Sequence, residues 1–83
     1  MNKKSLLSFS DQAQSIIVDS LYEHYKGLRY KIIAVARHSE TLEELVVYQA
    51  LYGEGGIWVR PLAMFLENVV VNGQSQPRFK LIQ

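Results

Sequence analysis

The segment LVVYQALYGEGGIWVR, residues 45–60, decides the fold of this chain. Two runs rich in β-branched and aromatic side chains, residues 45–52 and 57–60, flank the loop GEGG at residues 53–56. β-Branched and aromatic side chains favour the pleated surface of a sheet. The loop glycines supply the positive φ angles that a tight reversal demands. The segment therefore predicts a β-hairpin.

A helix is the alternative for residues 42–52. Thr41 and Glu44 have the spacing of a capping box, and Gly53 stands where a helix would end. Against a helix stand the side chains of Val46 to Tyr48 and the pairing partner that immediately follows at residues 57–59. We favour a strand.

A second hairpin is predicted before this segment, from Tyr22 to His38. Gly27 has the position of the first central residue in a two-residue type II′ turn. That turn sets Tyr25 opposite Tyr30 across the two strands.

A third hairpin is predicted after it, with strands at residues 65–71 and 78–82. The dipeptide Asn72-Gly73 is the strongest short hairpin signal, because a type I′ turn needs positive φ at both central residues. A two-residue turn there sets Glu67 opposite Arg78 as an ion pair.

The first 20 residues predict an N-terminal extension with a short amphipathic helix, which Ser10 or Asp11 caps. Its apolar residues recur at helical spacing: Phe9, Ala13, Ile16, Ile17 and Leu21. Residues 21–83 then form a mainly β domain of five to six short strands. Such strands close into a small antiparallel SH3-like barrel, since an open sheet leaves its edges unpaired. At 83 residues the chain is a single domain.

Composition excludes several function classes. The chain has no cysteine, so thiolate metal sites, Cys nucleophiles and redox pairs are excluded. A net charge of +1 is not the strongly basic balance of a typical nucleic-acid-binding protein. No apolar stretch approaches the roughly 20 residues that span a bilayer. We predict a cytoplasmic protein that makes no membrane contact.

Six motifs are distributed over most of the chain. They are HYKG at 24–27, ARHSETLEELVVY at 36–48, LYG at 51–53, WVRP at 58–61, MF at 64–65 and PRF at 77–79. Together they resemble the uncharacterised family called domain of unknown function 1653. The resemblance covers residues 22–82 and implies a bacterial cytoplasmic protein, but it carries over no activity, cofactor or catalytic residue.

The candidate ligand-binding residues lie in one loop and one strand. The loop carries five successive hydrogen-bonding side chains, and binding residues concentrate in loops on rigid scaffolds. The strand adds an aromatic wall and a cation on one face, as base-stacking or cation-binding sites do. The alternatives are turn caps in the loop and core filling by the aromatics. The residues are Arg37, His38, Ser39, Glu40 and Thr41 in the loop, and Trp58 and Arg60 in the strand, where Tyr48 and Tyr52 share a face of its neighbour.

Metal binding and catalysis receive less support. In the predicted hairpin, His24 and His38 lie roughly 23 Å apart at about 3.3 Å per residue, so they do not chelate one ion. His38 and Ser39 point to opposite faces of an extended strand, which disfavours a catalytic triad. We predict no cofactor, no metal and no catalytic residue.

Three functions remain from different classes. A noncatalytic binding or adaptor module for a protein or a small polar ligand is favoured. A domain that binds RNA or single-stranded DNA is the first alternative, motivated by the basic first hairpin and the aromatics. A small hydrolase or lyase that uses His38 and Glu40, with Arg37 and Arg60, is the second.

Overall fold

The computed structural model describes residues 8–83, and the prediction for residues 1–7 of the extension lies outside them. Nearly half of the described chain is in short strands, joined by tight turns and two single-turn helices. The elements are α1 (Asp11–Gln14), β1 (Leu21–His24), β2 (Arg29–Arg37), β3 (Glu44–Ala50), β4 (Ile57–Pro61), α2 (Leu62–Phe65), β5 (Asn68–Val71), β6 (Gln74–Pro77) and β7 (Phe79–Leu81). None of the helices in residues 8–83 has the length and apolar character of a membrane crossing.

Five strands form one antiparallel sheet in the order β4-β3-β2-β1-β7, and β5 and β6 pair as a separate hairpin. The mainly β prediction is confirmed, but the closed barrel is wrong. Closure would need pairing between the edge strands β4 and β7, which lie at opposite ends of the sheet. After β4 the chain turns through α2 and makes the separate hairpin, so β7 adds beside β1 instead.

The segment that decides the fold behaves as predicted. Residues 44–50 form a strand rather than a helix, and β3 pairs with β4 in a register that sets Tyr48 opposite Trp58. Gly53 and Gly55 in the connecting loop have φ of +56° and +70°. The segment is also compatible with a helix, but pairing with the adjacent strand β4 and the packing of its β-branched side chains stabilise the strand.

The first hairpin forms with a different register. Tyr22, and not Tyr25, lies opposite Tyr30. The reversal takes the three residues 25–27, since the His24 amide donates to the Leu28 carbonyl at 2.7 Å. Gly27 adopts a positive φ of +97°, and its amide donates to the His24 carbonyl at 2.7 Å. Gly27 is therefore the last residue of the turn and not, as predicted, the first of two central residues.

The third hairpin has the predicted turn and different strands. Asn72 and Gly73 have φ of +52° and +78°, as a type I′ turn requires. The turn joins β5 to β6, which ends at Pro77, whereas the predicted second strand belongs largely to β7 of the main sheet. The predicted ion pair is confirmed, with Arg78 Nη2 2.7 Å from Glu67 Oε1.

The N-terminal helix is a single turn in the described residues. Ser10 Oγ accepts a hydrogen bond from the Ala13 amide at 3.1 Å, which is an N-cap contact. The helical spacing predicts a longer element, but Ile17 is 66% exposed and Asp19 has φ of +71°. Such a φ is incompatible with continuing a right-handed helix, so the chain leaves the helical path before β1.

One face of the main sheet carries the hydrophobic core. The helical turns and β7 contribute the remaining side chains, so elements from both ends of the chain share that core. Its buried members are Ala13, Ile16, Tyr22, Tyr30, Ile32, Val46, Tyr48, Ala50, Leu62, Phe65 and Phe79.

Candidate functional site

The predicted loop begins with Arg37, whose guanidinium donates hydrogen bonds to backbone carbonyls of the same chain. Arg37 Nη1 donates to the Leu42 carbonyl at 2.8 Å, and Nη2 donates to the Ser8 carbonyl at 3.1 Å. The guanidinium also lies 5.0 Å from the Phe9 ring centroid. Arg37 therefore ties the N-terminal segment to the end of β2.

Glu44 strengthens the same connection. Both of its carboxylate oxygens accept hydrogen bonds from Ser10, each at 2.7 Å, and Arg37 lies 3.9 Å away. The Ser10 hydrogen bonds, followed by the Arg37 charge, hold the pKa of Glu44 below its usual range.

The rest of the loop is held by its own turn. His38 Nδ1 accepts hydrogen bonds from the Glu40 and Thr41 amides at 3.1 and 3.2 Å. Thr41 Oγ1 accepts another from the Glu43 amide. Ser39 and Glu40 are exposed. These contacts match the turn-capping alternative, since two backbone amides of its own turn occupy the Nδ1 atom of His38.

Arg60 lies in a separate cluster. Its Nε donates to the Tyr48 hydroxyl at 3.2 Å, and its guanidinium lies 5.5 Å from the Phe79 ring centroid. Trp58, two residues earlier on the same strand, is 58% exposed. The loop and Arg60 are thus placed at different points along β3, because Arg37 is opposite Glu44 whereas Arg60 is opposite Val46.

Three tyrosines form a row of contacts that begins at Arg60, because Tyr48 contacts Arg60, Tyr30 contacts Tyr48, and Tyr52 contacts Tyr30. The Tyr30 and Tyr52 hydroxyls are hydrogen-bonded to each other, and the Tyr30 ring meets the Tyr48 ring edge to face at 5.1 Å. Tyr48 is buried, as the core-filling alternative predicts, but Tyr52 is 40% exposed. We call Tyr30, Tyr48, Tyr52, Arg60 and His24 the Tyr-Arg cluster.

His24 also belongs to this cluster, and its pKa responds to the charges around it. The imidazole packs edge to face on Phe79 at 5.0 Å. Burial lowers the pKa of His24, and the nearby charges of Arg60, Lys26 and Arg78 lower it further. Cations therefore dominate the surroundings of this histidine.

Arg60 differs from the other arginines of the chain. Arg29, Arg37 and Arg78 each form an ion pair with a glutamate. Within residues 8–83, no carboxylate lies within ion-pair distance of Arg60, and no acceptor is hydrogen-bonded to its terminal nitrogens. The side chain is half-buried rather than fully solvated. An unpaired guanidinium in this position is suited to an anionic ligand.

The hydroxyl pair gives a testable pH dependence. Burial, then the Tyr52 hydrogen bond, raises the pKa of Tyr30 to about 12 from 10.0. Because the folded state favours the neutral hydroxyl, Tyr30 contributes stability that is present below pH 10 and lost as the pH rises to about 12. We expect Tyr52→Phe to reduce this loss, measured as urea unfolding free energy across that interval.

Tyr25→Phe is the control for that measurement, since the Tyr25 ring packs beside His24 and not against Tyr30. Its alkaline loss should equal that of the unmodified protein. Equal losses in all three proteins would contradict a role for the Tyr30–Tyr52 hydrogen bond.

Two other features were compared with the cluster. A groove of about 370 Å³ lies between the 15–20 segment and the end of β7, lined mainly by apolar groups such as Ile17, Val18 and Leu81, and it contains none of the predicted site residues. The part of the chain described by the structure gathers no three His, Asp or Glu side chains in a metal-binding arrangement.

The sequence predicted Arg60 and Trp58 as candidate site residues beside Tyr48, but it did not predict that His24, Tyr30 and Phe79 lie close to them. The correct register of the first hairpin would have placed Tyr30 on this face. Phe79 reaches it through the pairing of β7 with β1, for which no local sequence signal exists.

The fold and the cluster define a small antiparallel β domain with a tyrosine-lined cationic site. The chain belongs to the family described as protein of unknown function DUF1653, whose model matches residues 20–81, and this confirms the resemblance. It is similar to the crystal structure of a DUF1653 protein from Bordetella bronchiseptica. The two are 36% identical, with a TM-score of 0.75 over 84% of this chain and 91% of that chain. None of the curated proteins matches this chain.

Proposed function

We propose that this protein is a noncatalytic binding module that recognises an anionic group, a carboxylate or a phosphate, at Arg60. The proposal rests on Arg60, which has no carboxylate partner within residues 8–83, whereas Arg29, Arg37 and Arg78 each pair with a glutamate. A half-buried guanidinium is costly without a partner, so a ligand anion would relieve that cost.

The surrounding groups support recognition of an anion rather than a cation. The terminal nitrogens of Arg60 offer two parallel donors, which suits the planar oxygens of a carboxylate or phosphate. Arg78 and Lys26 add positive charge around His24, and the exposed Tyr52 is hydrogen-bonded to Tyr30 of the same cluster. Trp58 offers an exposed flat wall, an arrangement that SH3-like modules use in peptide binding.

Two of our other predictions stand beside this proposal. Ligand contact at the loop residues Arg37, His38, Ser39, Glu40 and Thr41 stays a prediction, and so does the cytoplasmic location. The nucleic-acid alternative has one specific observation in its favour: the exposed Trp58 lies on the same strand as the cation Arg60, and aromatic and cationic side chains together are typical of single-strand binding surfaces.

The test uses His24 as a reporter of bound anion. We expect acetylglutamate or inorganic phosphate to raise the pKa of His24, because a bound anion offsets the positive charge of Arg60 that lowers it. Ring proton shifts in NMR spectra measure this against pH at constant ionic strength. The His38 ring resonance, from the separate loop, should show no anion-dependent change.

Arg60→Leu and Arg29→Leu form a matched pair for the same experiment. Without an anion, Arg60→Leu should itself raise the pKa of His24, and added anion should then have no effect. Arg29→Leu removes an arginine from an exposed ion pair and should leave the anion response unchanged. The proposal would be contradicted if neither anion changed the pKa of His24 in the unmodified protein.

Short RNA and single-stranded DNA distinguish the alternative. A tight complex with either, weakening steeply with salt, would favour the nucleic-acid function over the adaptor function, because phosphate contacts release counterions.

A further inference from the structure

In the described part of the chain, β4 is an edge strand of the main sheet, because no strand pairs with its outer side. Antiparallel pairs alternate between hydrogen-bonded and non-hydrogen-bonded. The Ala50 amide donates to the Gly56 carbonyl at 2.9 Å, and the register continues with Tyr48 opposite Trp58 and Val46 opposite Arg60. Ile57, Val59 and Pro61 therefore direct their backbone groups away from β3. Pro61, which has no amide hydrogen, stands where β3 requires no donor.

This edge lacks most of the devices that protect edge strands. Ile57, Trp58 and Val59 are 62%, 58% and 59% exposed. The strand contains no lysine or acidic residue, and its register with β3 runs from residue 57 to residue 61 without a bulge. A regular apolar edge of this kind is a template for pairing with another strand.

We propose that β4 pairs antiparallel with β4 of a second copy of this chain, about a two-fold axis at Val59, and joins two five-stranded sheets into one of ten strands. The Val59 amide donates to the carbonyl of the partner's Val59, and the reverse bond follows by symmetry. The Ile57 amide donates to the carbonyl of the partner's Pro61. Every outward amide of β4 in both copies then has an acceptor.

The side chains select this register. With the axis at Val59, Arg60 lies beside the partner's Trp58 and forms a cation–π contact on each side of the axis. On the opposite face, Val59 meets its own copy. An axis at Trp58 would place Arg60 opposite a glycine, and an axis at Arg60 would set two guanidinium groups against each other.

This association goes beyond the proposed anion recognition and does not depend on it. It adds a consequence for the Tyr-Arg cluster, because each Arg60 would be flanked by tryptophan side chains from both copies. The two proposals also fail separately, since a monomer can still bind anions and a dimer can form without an anion.

The experiment places charged residues of like or opposite sign at the two-fold axis. Sedimentation velocity from micromolar to millimolar concentration measures how much of the protein is dimeric. The unmodified protein should sediment as a dimer as its concentration rises. Val59→Lys and Val59→Glu should each lose dimer affinity by about tenfold or more, because like charges meet at the axis. An equimolar mixture of the two should recover the dimer.

Val70 supplies the matched control, because it is 73% exposed on β5, outside the proposed contact. Val70→Lys and Val70→Glu should dimerise like the unmodified protein. A monomer at all concentrations would overturn the proposal, as would Val59→Lys that dimerises normally or a mixture that fails to recover.

A measurement on the unmodified protein removes any dependence on variant folding. On dilution, amide shifts in the heteronuclear NMR spectrum should change at residues 57–61 and remain constant at residues 68–77. Dilution changes centred on any other element would identify a different interface and overturn the proposal.

Discussion

Phe65→Ala should destabilise the fold by about 3–5 kcal/mol, the usual cost of removing a buried phenylalanine. Phe65 is 1% exposed. Its ring stacks on Phe79 with centroids 4.3 Å apart and an 8° interplanar angle, and it meets Tyr22 edge to face at 5.2 Å. A domain of this length has a total stability of roughly 4–12 kcal/mol, so the variant loses a large part of it. Urea unfolding measures the change.

Met64→Ala is the control for Phe65, because the neighbouring side chain is 46% exposed on the same helical turn. Its cost should be much smaller. If Met64→Ala and Phe65→Ala lost similar stability, the aromatic stack would not be the centre of the core.

Ile32→Ala should cost about 2–5 kcal/mol, since it leaves a cavity in the middle of the main sheet. Ile32 has no exposed surface and lies opposite Tyr48. Its backbone also anchors the N-terminal segment: its amide donates to the Ser20 carbonyl at 3.0 Å, and its carbonyl accepts from the Asp19 amide at 2.8 Å. The side-chain loss should therefore be measurable without breaking these bonds.

The next residue provides a chemically matched control. Ile33 is half-buried and lies at the irregularity in the β2–β3 register, where Ile32 and Ala34 pair but Ile33 does not. Ile33→Ala should lose clearly less unfolding free energy than Ile32→Ala. A larger loss at Ile33 would show that the irregular position, and not the core face, dominates the stability of β2.

Local signals predicted the local structure well. Asn72-Gly73 predicts its turn because the φ requirement involves only those two residues, and the Glu67–Arg78 ion pair follows from that turn. The strand at residues 44–50 was correctly preferred to a helix, since its β-branched and aromatic residues have an adjacent partner strand. Local turn chemistry therefore sufficed for these elements.

Long-range pairing is where the sequence was insufficient. The barrel prediction rested on the argument that an open sheet leaves its edges unpaired, but the sheet is open, with β4 and β7 at its edges and β7 paired with β1. Short apolar strands carry little information about which distant edge they join. The first hairpin failed for another reason: Gly27 marks the turn but does not fix its length.

The candidate site could be predicted from the sequence only where it depends on local structure. Arg60 and Trp58 could be predicted to lie together because they share one face of a correctly predicted strand. The cluster around Arg60 required the register of β1 with β2 and the position of β7, so His24, Tyr30 and Phe79 were not recognised. In the loop, hydrogen-bonding side chains were evident from the sequence, but whether His38 contacts a ligand or its own turn depends on local coordinates.

The pairing of β1 with β7 also governs how the molecule folds. Tyr22 lies opposite Leu81, so this contact closes a loop of almost the whole described chain. Closing so long a loop costs much entropy, whereas the β2–β3 and β3–β4 hairpins close short ones. The three hairpin strands should therefore form an early nucleus, with docking of β7 as a late step. Until that step, the outer edge of β1 is a second site at which a folding intermediate can associate with other chains.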